Sequence, residues 1–223
     1  MARIANFYQS LSEGNLVPRW AGNLNWGYGH PVMMFLYPLP SYIGSAFHAL
    51  GFTLVDSVKL VFAFGFIASM FAMFLWVNAA WGMEAGITAA ILYGFAPYRF
   101  IDIYIRGAIG EHMAFIFLPF VMFGLYMLAK QSFDTPKILI YRYMRIIKAE
   151  VVIALGVAGL ILSHNALSIM FLPIAGVYAL YFFIYESKDK RRFFITSVIC
   201  ITLGFILSAF FWIPAFVEGK YTL

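Results

Sequence analysis

The sequence predicts an all-α polytopic membrane protein: about six transmembrane helices plus an N-terminal region of juxtamembrane or re-entrant helices. Three observations lead to that class. The chain of 223 residues is 63% hydrophobic and only 11% charged, and its mean hydropathy of +0.86 lies well above that of a soluble domain. Several windows approach the roughly 20 apolar residues that a helix needs to cross a hydrocarbon core of about 30 Å. The cations gather in two connections, with Lys130, Lys137, Arg142, Arg145 and Lys148 in one and Lys188, Lys190, Arg191 and Arg192 in the other. Basic residues accumulate this way in cytoplasmic loops. A transmembrane barrel is not expected, because its strands alternate polar and apolar residues and these runs are apolar on all sides.

Residues 1–56 form the first unit, an extracytoplasmic loop with juxtamembrane helices. They are rich in Gly, Pro, Asn and aromatics and become purely apolar only between Val32 and Leu50, a run interrupted by Pro38 and Pro40. Short helices packed on the outer face suit this pattern better than a seventh span, which would put Met1 to Pro31 inside without a basic cluster to hold them there. Residues 57–223 form the second unit, a transmembrane bundle. Its spans are expected at about Ser57 to Asn78, Met83 to Pro97, His112 to Ala129, Ile147 to Ser163, Leu167 to Tyr185 and Phe194 to Trp212. The second is short, which suits either a core-buried helix or one that begins before Trp81. With both basic loops inside, parity places residues 98–111, the Ser-His-Asn turn at 163–165 and the C-terminal tail on the outer face, beside the N-terminal region.

The charge of +5 does not signal nucleic acid, since the cations lie in membrane loops. The single cysteine, Cys200, lies in an apolar run and excludes an intrachain disulfide and a Cys-based metal site. No P-loop, G-x-G-x-x-G, H-E-x-x-H or G-x-S-x-G motif occurs.

The ionisable residues concentrate in RFIDIYIRGAIGEH, Arg99 to His112. In a helix Arg99, Asp102 and Arg106 share a face. That pattern suits an interfacial turn whose arginines meet lipid phosphates. It equally suits a site for a phosphate-bearing substrate, because a guanidinium donates two parallel hydrogen bonds to phosphate oxygens. Asp102 then orients a guanidinium, and Glu111, at the start of a helix, has both a structural role and the chemistry of a base or metal ligand. His164 and Asn165 can be simply a polar turn between helices, yet parity sends them to the same face, and Glu218 arrives there too. Arg19 and His30 join them from the N-terminal region. The catalytic candidates are therefore Asp102, Glu111 and His112, and the substrate-binding candidates Arg19, His30, Arg99, Arg106, His164, Asn165 and Glu218. Oxygen and imidazole ligands suit Mg²⁺ or Mn²⁺, although no ligand spacing demands a divalent cation.

Four local patterns, NLVPRW with GYGHPVMMFLYPLPSYIG, APYRFIDIYIRGAIGEHMAFIFLPF, LSHNAL, and SAFFWIPAFVEGKYT, resemble the bacterial membrane proteins labelled 6-pyruvoyl-tetrahydropterin synthase-related. That family in turn is similar to the GT-C superfamily of polytopic glycosyltransferases. The resemblance spans nearly the whole chain. It implies a GT-C-like fold, a multi-pass protein of the bacterial plasma (inner) membrane, and sugar transfer from a polyprenyl-phosphate-linked donor at the extracytoplasmic face. Its partners would be that donor and the lipid bilayer, with no nucleic acid. The pterin label implies no pterin chemistry, because nothing here resembles the histidine cluster of the soluble zinc enzymes. Relatives of this kind carry a spanning helix and an acidic stretch before the segment equivalent to RIANFYQSLSEGNLVPRW, so the chain looks like a fragment that lacks the first helix and the catalytic acid. Two other readings stay open: a transporter or flippase of a lipid-linked or anionic substrate, and a non-catalytic membrane scaffold.

Overall fold

A helix begins at nearly every place where an apolar run follows a turn signal. The computed structural model describes residues 1–130 and 148–221, so Lys137, Arg142 and Arg145 of the first basic loop lie outside the described residues. Among those described there is no strand; an isolated antiparallel bridge joins Ala21 to His30.

The N-terminal region holds three short helices, α1 (Ala2–Ser12), α2 (Val32–Phe35) and α3 (Leu39–Ala49). The longest of these, 11 residues, covers about 16 Å at 1.5 Å per residue. That is about half a bilayer core. Helix α3 lies between α1 and the bundle and buries Pro40, Ser41, Gly44 and Ser45.

The bundle begins with α4 (Leu54–Trp81), capped by Thr53, whose hydroxyl accepts from the Asp56 N–H at 3.2 Å. Gly82 then turns the chain back into α5 (Met83–Gly94), which packs along α4. A four-residue turn of helix, α6 (Pro97–Phe100), and a π-helical turn, Ile101–Arg106, lead into α7 (Ile109–Ala129). Helix α7 is the centre of the bundle, packed against α4 on one side and α8 (Ala149–Ser163) on the other. Val121, Leu125, Ile153 and Val157 form the heart of that core. Helix α9 (Asn165–Tyr181) runs on into a second π turn, Phe182–Glu186. Helix α10 (Lys190–Leu207) follows, packed on α8, and α11 (Ala209–Glu218) leads into a final 3-10 turn, Gly219–Tyr221.

Each of the six expected apolar segments contains a helix among its described residues, but six full spans are not reached. Among the described residues three helical runs are long and apolar enough to cross a membrane: Leu54–Trp81, Ile109–Ala129 and Asn165–Glu186. A fourth results if α10 and α11, bent by 67° at their junction, count as one. The bend falls at Ser208, where side chains insert into the main-chain ladder: the Ser208 hydroxyl donates to the Gly204 carbonyl at 2.9 Å alongside the Ser208 N–H at 3.2 Å, and the Trp212 indole N–H donates to the Phe205 carbonyl at 2.9 Å. Helices α5 and α8, of 12 and 15 residues, are too short to span at full thickness. Nor is α5 core-buried; it buries only Gly86, Ala90 and Gly94, small residues four apart that let it lie close against α4. It is α8 that occupies the core, with Val152, Ile153, Val157 and Leu160 at most 1% exposed.

This arrangement gives the bundle two poles. Phe35, Gly110, Ser163 and Asn165 meet at one, where the Asn165 amide donates to the Phe35 carbonyl at 3.3 Å. The ends of α4, α7 and α9 meet at the other, where Lys130 pairs with Glu186 at 2.5 Å.

Candidate functional site at the first pole

The connection from α5 to α7 is not the regular α-helix that simple spacing assumes. Ala96 has extended backbone and Pro97 opens a helical turn at its first position, where its missing N–H costs nothing. The chain then widens into the π turn at Ile101–Arg106, a form that recurs at functional sites. Gly107, at φ 59°, closes it in the left-handed region.

The outer layer of the site is organised by Arg106, whose side chain is 46% exposed. Its Nη2 pairs with Glu111 Oε2 at 2.8 Å, its Nη1 donates to the Tyr98 hydroxyl at 2.6 Å, and Asp102 Oδ1 lies 3.5 Å from Nη1. Tyr98 in turn donates to Glu111 Oε1. Glu111 stands in the first turn of α7, where the helix N-terminus favours a carboxylate. The hydrogen bond to Glu111 and its charge raise the Arg106 pKa, and the same carboxylate raises that of Tyr98. Asp102 is fully buried. Burial, reinforced by the negative charge of Glu111, raises its pKa to about 6 against the opposing pull of Arg106 and Arg99.

Beneath this layer lies a second, around Arg99, which is 2% exposed. Its Nη2 donates to the Ser69 hydroxyl at 2.8 Å, and its guanidinium carbon lies 4.7 Å from the ring centre of Phe115 and within 6 Å of those of Phe66 and Tyr93. A buried guanidinium stays cationic, because arginine is not deprotonated in proteins. Ser69 is fifteen residues beyond Leu54, so Arg99 meets α4 about 22 Å from the start of that helix. His112 is also fully buried, and its Nε2 meets the Phe62 carbonyl at 3.0 Å. A carbonyl only accepts, so Nε2 carries the proton and Nδ1 is left as an acceptor. Arg99 Nε and Nη1, Asp102 Oδ2 and His112 Nδ1 have no hydrogen-bond partner among the described residues.

Arg99, Asp102 and Arg106 therefore do not share one exposed face. Asp102 and Arg106 remain paired, while Arg99 turns into the bundle, away from any lipid phosphate at the surface. The π turn changes the angular spacing between α6 and Arg106, and the aromatic pocket on α4, α5 and α7 accommodates the cation. His112 likewise faces α4 rather than an opening.

The Ser-His-Asn turn does arrive beside this cluster. His164 accepts the Leu167 N–H at 3.3 Å as the cap of α9 and lies against the ring of Tyr37. The charges of Glu111 and Arg106 act on it in opposite senses, and burial lowers its pKa. Gly110 locks the junction: a Cβ there would come within 2.0 Å of the Tyr37 ring and 2.5 Å of the Ser163 carbonyl. Arg19 lies instead in a crevice with Met33, Met34, Phe211 and Pro214. His30 is exposed at the base of the loop bridged to Ala21, and Glu218 is half-buried at the end of α11; no hydrogen bond or ion pair among the described residues ties either to Arg106. Sequence reasoning missed Tyr98, Ser69, Tyr93 and Phe115. Tyr98 stands next to Arg99 in the chain, and only the π turn reveals that its hydroxyl joins Arg106 to Glu111.

Among the described residues no three His, Cys, Asp or Glu side chains gather to hold a metal ion. Asp102, Glu111 and His112 are directed to Arg106, to Tyr98 with Arg106, and to Phe62 respectively, so they do not make a ligand set for Mg²⁺ or Mn²⁺.

No protein-family model matches the chain, and no solved structure matches it. It is 28% identical over 222 residues to an uncharacterized protein of Lactococcus lactis subsp. cremoris (strain MG1363), an alignment that covers 96% of this chain and 34% of the relative. The chain thus spans about a third of the length of the curated relative it matches.

Proposed function

We propose that the chain is part of a membrane glycosyltransferase of GT-C-like type, which takes its sugar from a polyprenyl-phosphate-linked donor at the extracytoplasmic face. The observation that carries this reading is Arg106: a half-exposed guanidinium oriented by Glu111, Tyr98 and Asp102 at the pole where α7 begins and the α8–α9 turn arrives. An arginine preset by fixed partners offers phosphate oxygens donors without a large ordering cost. The departing lipid phosphate gains charge during transfer, and a cation already in place stabilises it. Asp102, fully buried beside Arg106, acts through the guanidinium, and its pKa, raised to about 6, lets its charge and so its hold on Arg106 vary near neutrality. Glu111 and Tyr98 orient Arg106. His164 borders the same cluster, whereas Arg99 and His112 support it from below.

A second reading, a transporter of a lipid-linked anion, draws on Arg99. Its guanidinium meets the middle of a 28-residue span, and charge at that depth commonly marks a transport path. Arg106→Ala, assayed in the full-length protein with polyprenyl-phosphate sugar, separates the two. The transferase reading expects loss of sugar transfer with the helical content unchanged; retained transfer removes Arg106 from the site. If transfer is absent in the wild type while lipid-linked sugar crosses vesicles in a manner dependent on Arg99, the transporter reading replaces it.

A further inference from the structure

The second pole carries a crevice of about 220 Å³ walled by Trp81, Tyr126, Tyr181 and Phe182, with Lys130 and Glu186 at its mouth. We propose that it seats the headgroup of a phospholipid that bears a primary ammonium beside its phosphate, as phosphatidylethanolamine does. Location supplies the first argument. Trp81 ends α4, Lys130 follows the last residue of α7, and Glu186 ends the helical run of α9. These are the ends of the three runs long enough to span, so the crevice opens at headgroup level. Trp81, 68% exposed, has the side chain most favoured there.

Charge supplies the second argument. Three helix C-termini converge on the crevice, and the carbonyl ends of helices carry partial negative charge, which favours a cation and opposes a bare anion. The groove already holds such a cation. Lys130 Nζ pairs with Glu186 Oε2 at 2.5 Å, and Tyr181 donates to Glu186 Oε1 at 3.3 Å. The side chains of Lys130 and Glu186 are 45% and 32% exposed, so both ions are reachable from the membrane surface. A headgroup ammonium can take the place of the lysine at Glu186 while Lys130 swings to the phosphate. One internal ion pair then becomes two intermolecular ones, and no charge is left unpaired. A headgroup with phosphate alone would draw Lys130 away and leave Glu186 facing the phosphate and three helix C-termini.

Native mass spectrometry of the chain released from mixed micelles, with phosphatidylethanolamine, phosphatidylcholine and phosphatidylglycerol added in equal amounts, tests the seat. Phosphatidylethanolamine should be retained at least about five-fold over either competitor, a preference of about 1 kcal/mol. Glu186→Gln should bring that ratio close to one. Equal retention of phosphatidylglycerol overturns the proposal, equal retention of phosphatidylcholine overturns the hydrogen-bonded primary ammonium, and an unchanged preference in Glu186→Gln removes the crevice as its source. Should Glu186→Gln not fold, the wild type still decides. The part of the tryptophan emission lost in Trp81→Phe should be quenched more by brominated phosphatidylethanolamine than by brominated phosphatidylglycerol, and equal quenching counts against the seat.

Discussion

The Tyr93 hydroxyl donates a 2.8 Å hydrogen bond to the main-chain carbonyl of Phe115, the residue four places before Pro119 in α7. A proline has no N–H, so the carbonyl four residues earlier loses its helical partner. In an apolar bundle that acceptor must be paired from elsewhere, and α5 supplies the donor. The same two side chains flank Arg99, so the proline, the tyrosine and the buried arginine form one unit.

Tyr93→Phe should therefore destabilise the bundle by about 1–3 kcal/mol, the usual cost of a buried acceptor left unmet. In a Pro119→Ala background, where residue 119 regains its N–H, the cost should shrink. Unfolding by denaturing detergent of the four proteins in this double-mutant cycle reads the coupling; equal costs in both backgrounds would show that Tyr93 does not compensate for the proline.

Ser69→Ala should weaken the fold through Arg99, by about 1–3 kcal/mol for a lost hydrogen bond to a charged group. Ser69 also donates to the Phe66 carbonyl at 2.9 Å, so it is a relay between the backbone of α4 and the guanidinium. With Arg99→Met, which replaces the cation by an apolar chain, the penalty of Ser69→Ala should largely disappear. A penalty that persists would mean that the serine acts on its helix alone.

Asp102 predicts a pH dependence. Its folded pKa of about 6 lies above the unfolded carboxylate value of about 3.9, so between these limits the folded protein binds more protons than the unfolded one. Stability should then fall as pH rises from about 4 to about 6 and level off above, by an amount on the order of 3 kcal/mol. Thermal unfolding in micelles across that range measures it, and Asp102→Asn should flatten the curve. A decline of the same size in the asparagine variant would assign the titration to another group.

Gly110→Ala probes the junction at the first pole. The added methyl would overlap both the Tyr37 ring and the Ser163 carbonyl, and the second is main chain that cannot swing away. Overpacking of this kind costs about 1–3 kcal/mol, and it should separate the N-terminal region from the α8–α9 turn. Cross-linking between cysteines placed at Phe35 and Asn165, whose groups now hydrogen-bond, should fall in the alanine variant. Unchanged cross-linking would show that the junction yields elsewhere.

Reading the chain located the helices well because their signals are local. The apolar runs begin and stop at Thr53, Gly82, Pro97, Gly107 and the Ser-His-Asn turn, each of which punctuates the backbone by its own chemistry. The grouping of Asp102, Arg106 and Glu111 was legible for the same reason, since ten residues of chain contain all three. The length of α5 was not. Residues 85–97 carry no charge, yet α5 ends at Gly94, three residues before the proline that starts α6. Nothing in the pattern of that run distinguishes a short helix against α4 from a full span.

The sequence by itself determined the class of this protein, an all-helical chain with helices apolar enough to cross a membrane, because hydropathy and helix-breaking residues act over a few turns. It also determined that the ionisable groups of residues 99–112 stay together. Only the tertiary structure decided what each of them faces. Arg99 turns toward Ser69, thirty residues away in sequence, His112 toward Phe62, fifty away, and Lys130 toward Glu186, fifty-six away. Such pairings depend on which helices lie side by side. A buried charge takes its partner from whichever neighbour the packing presents.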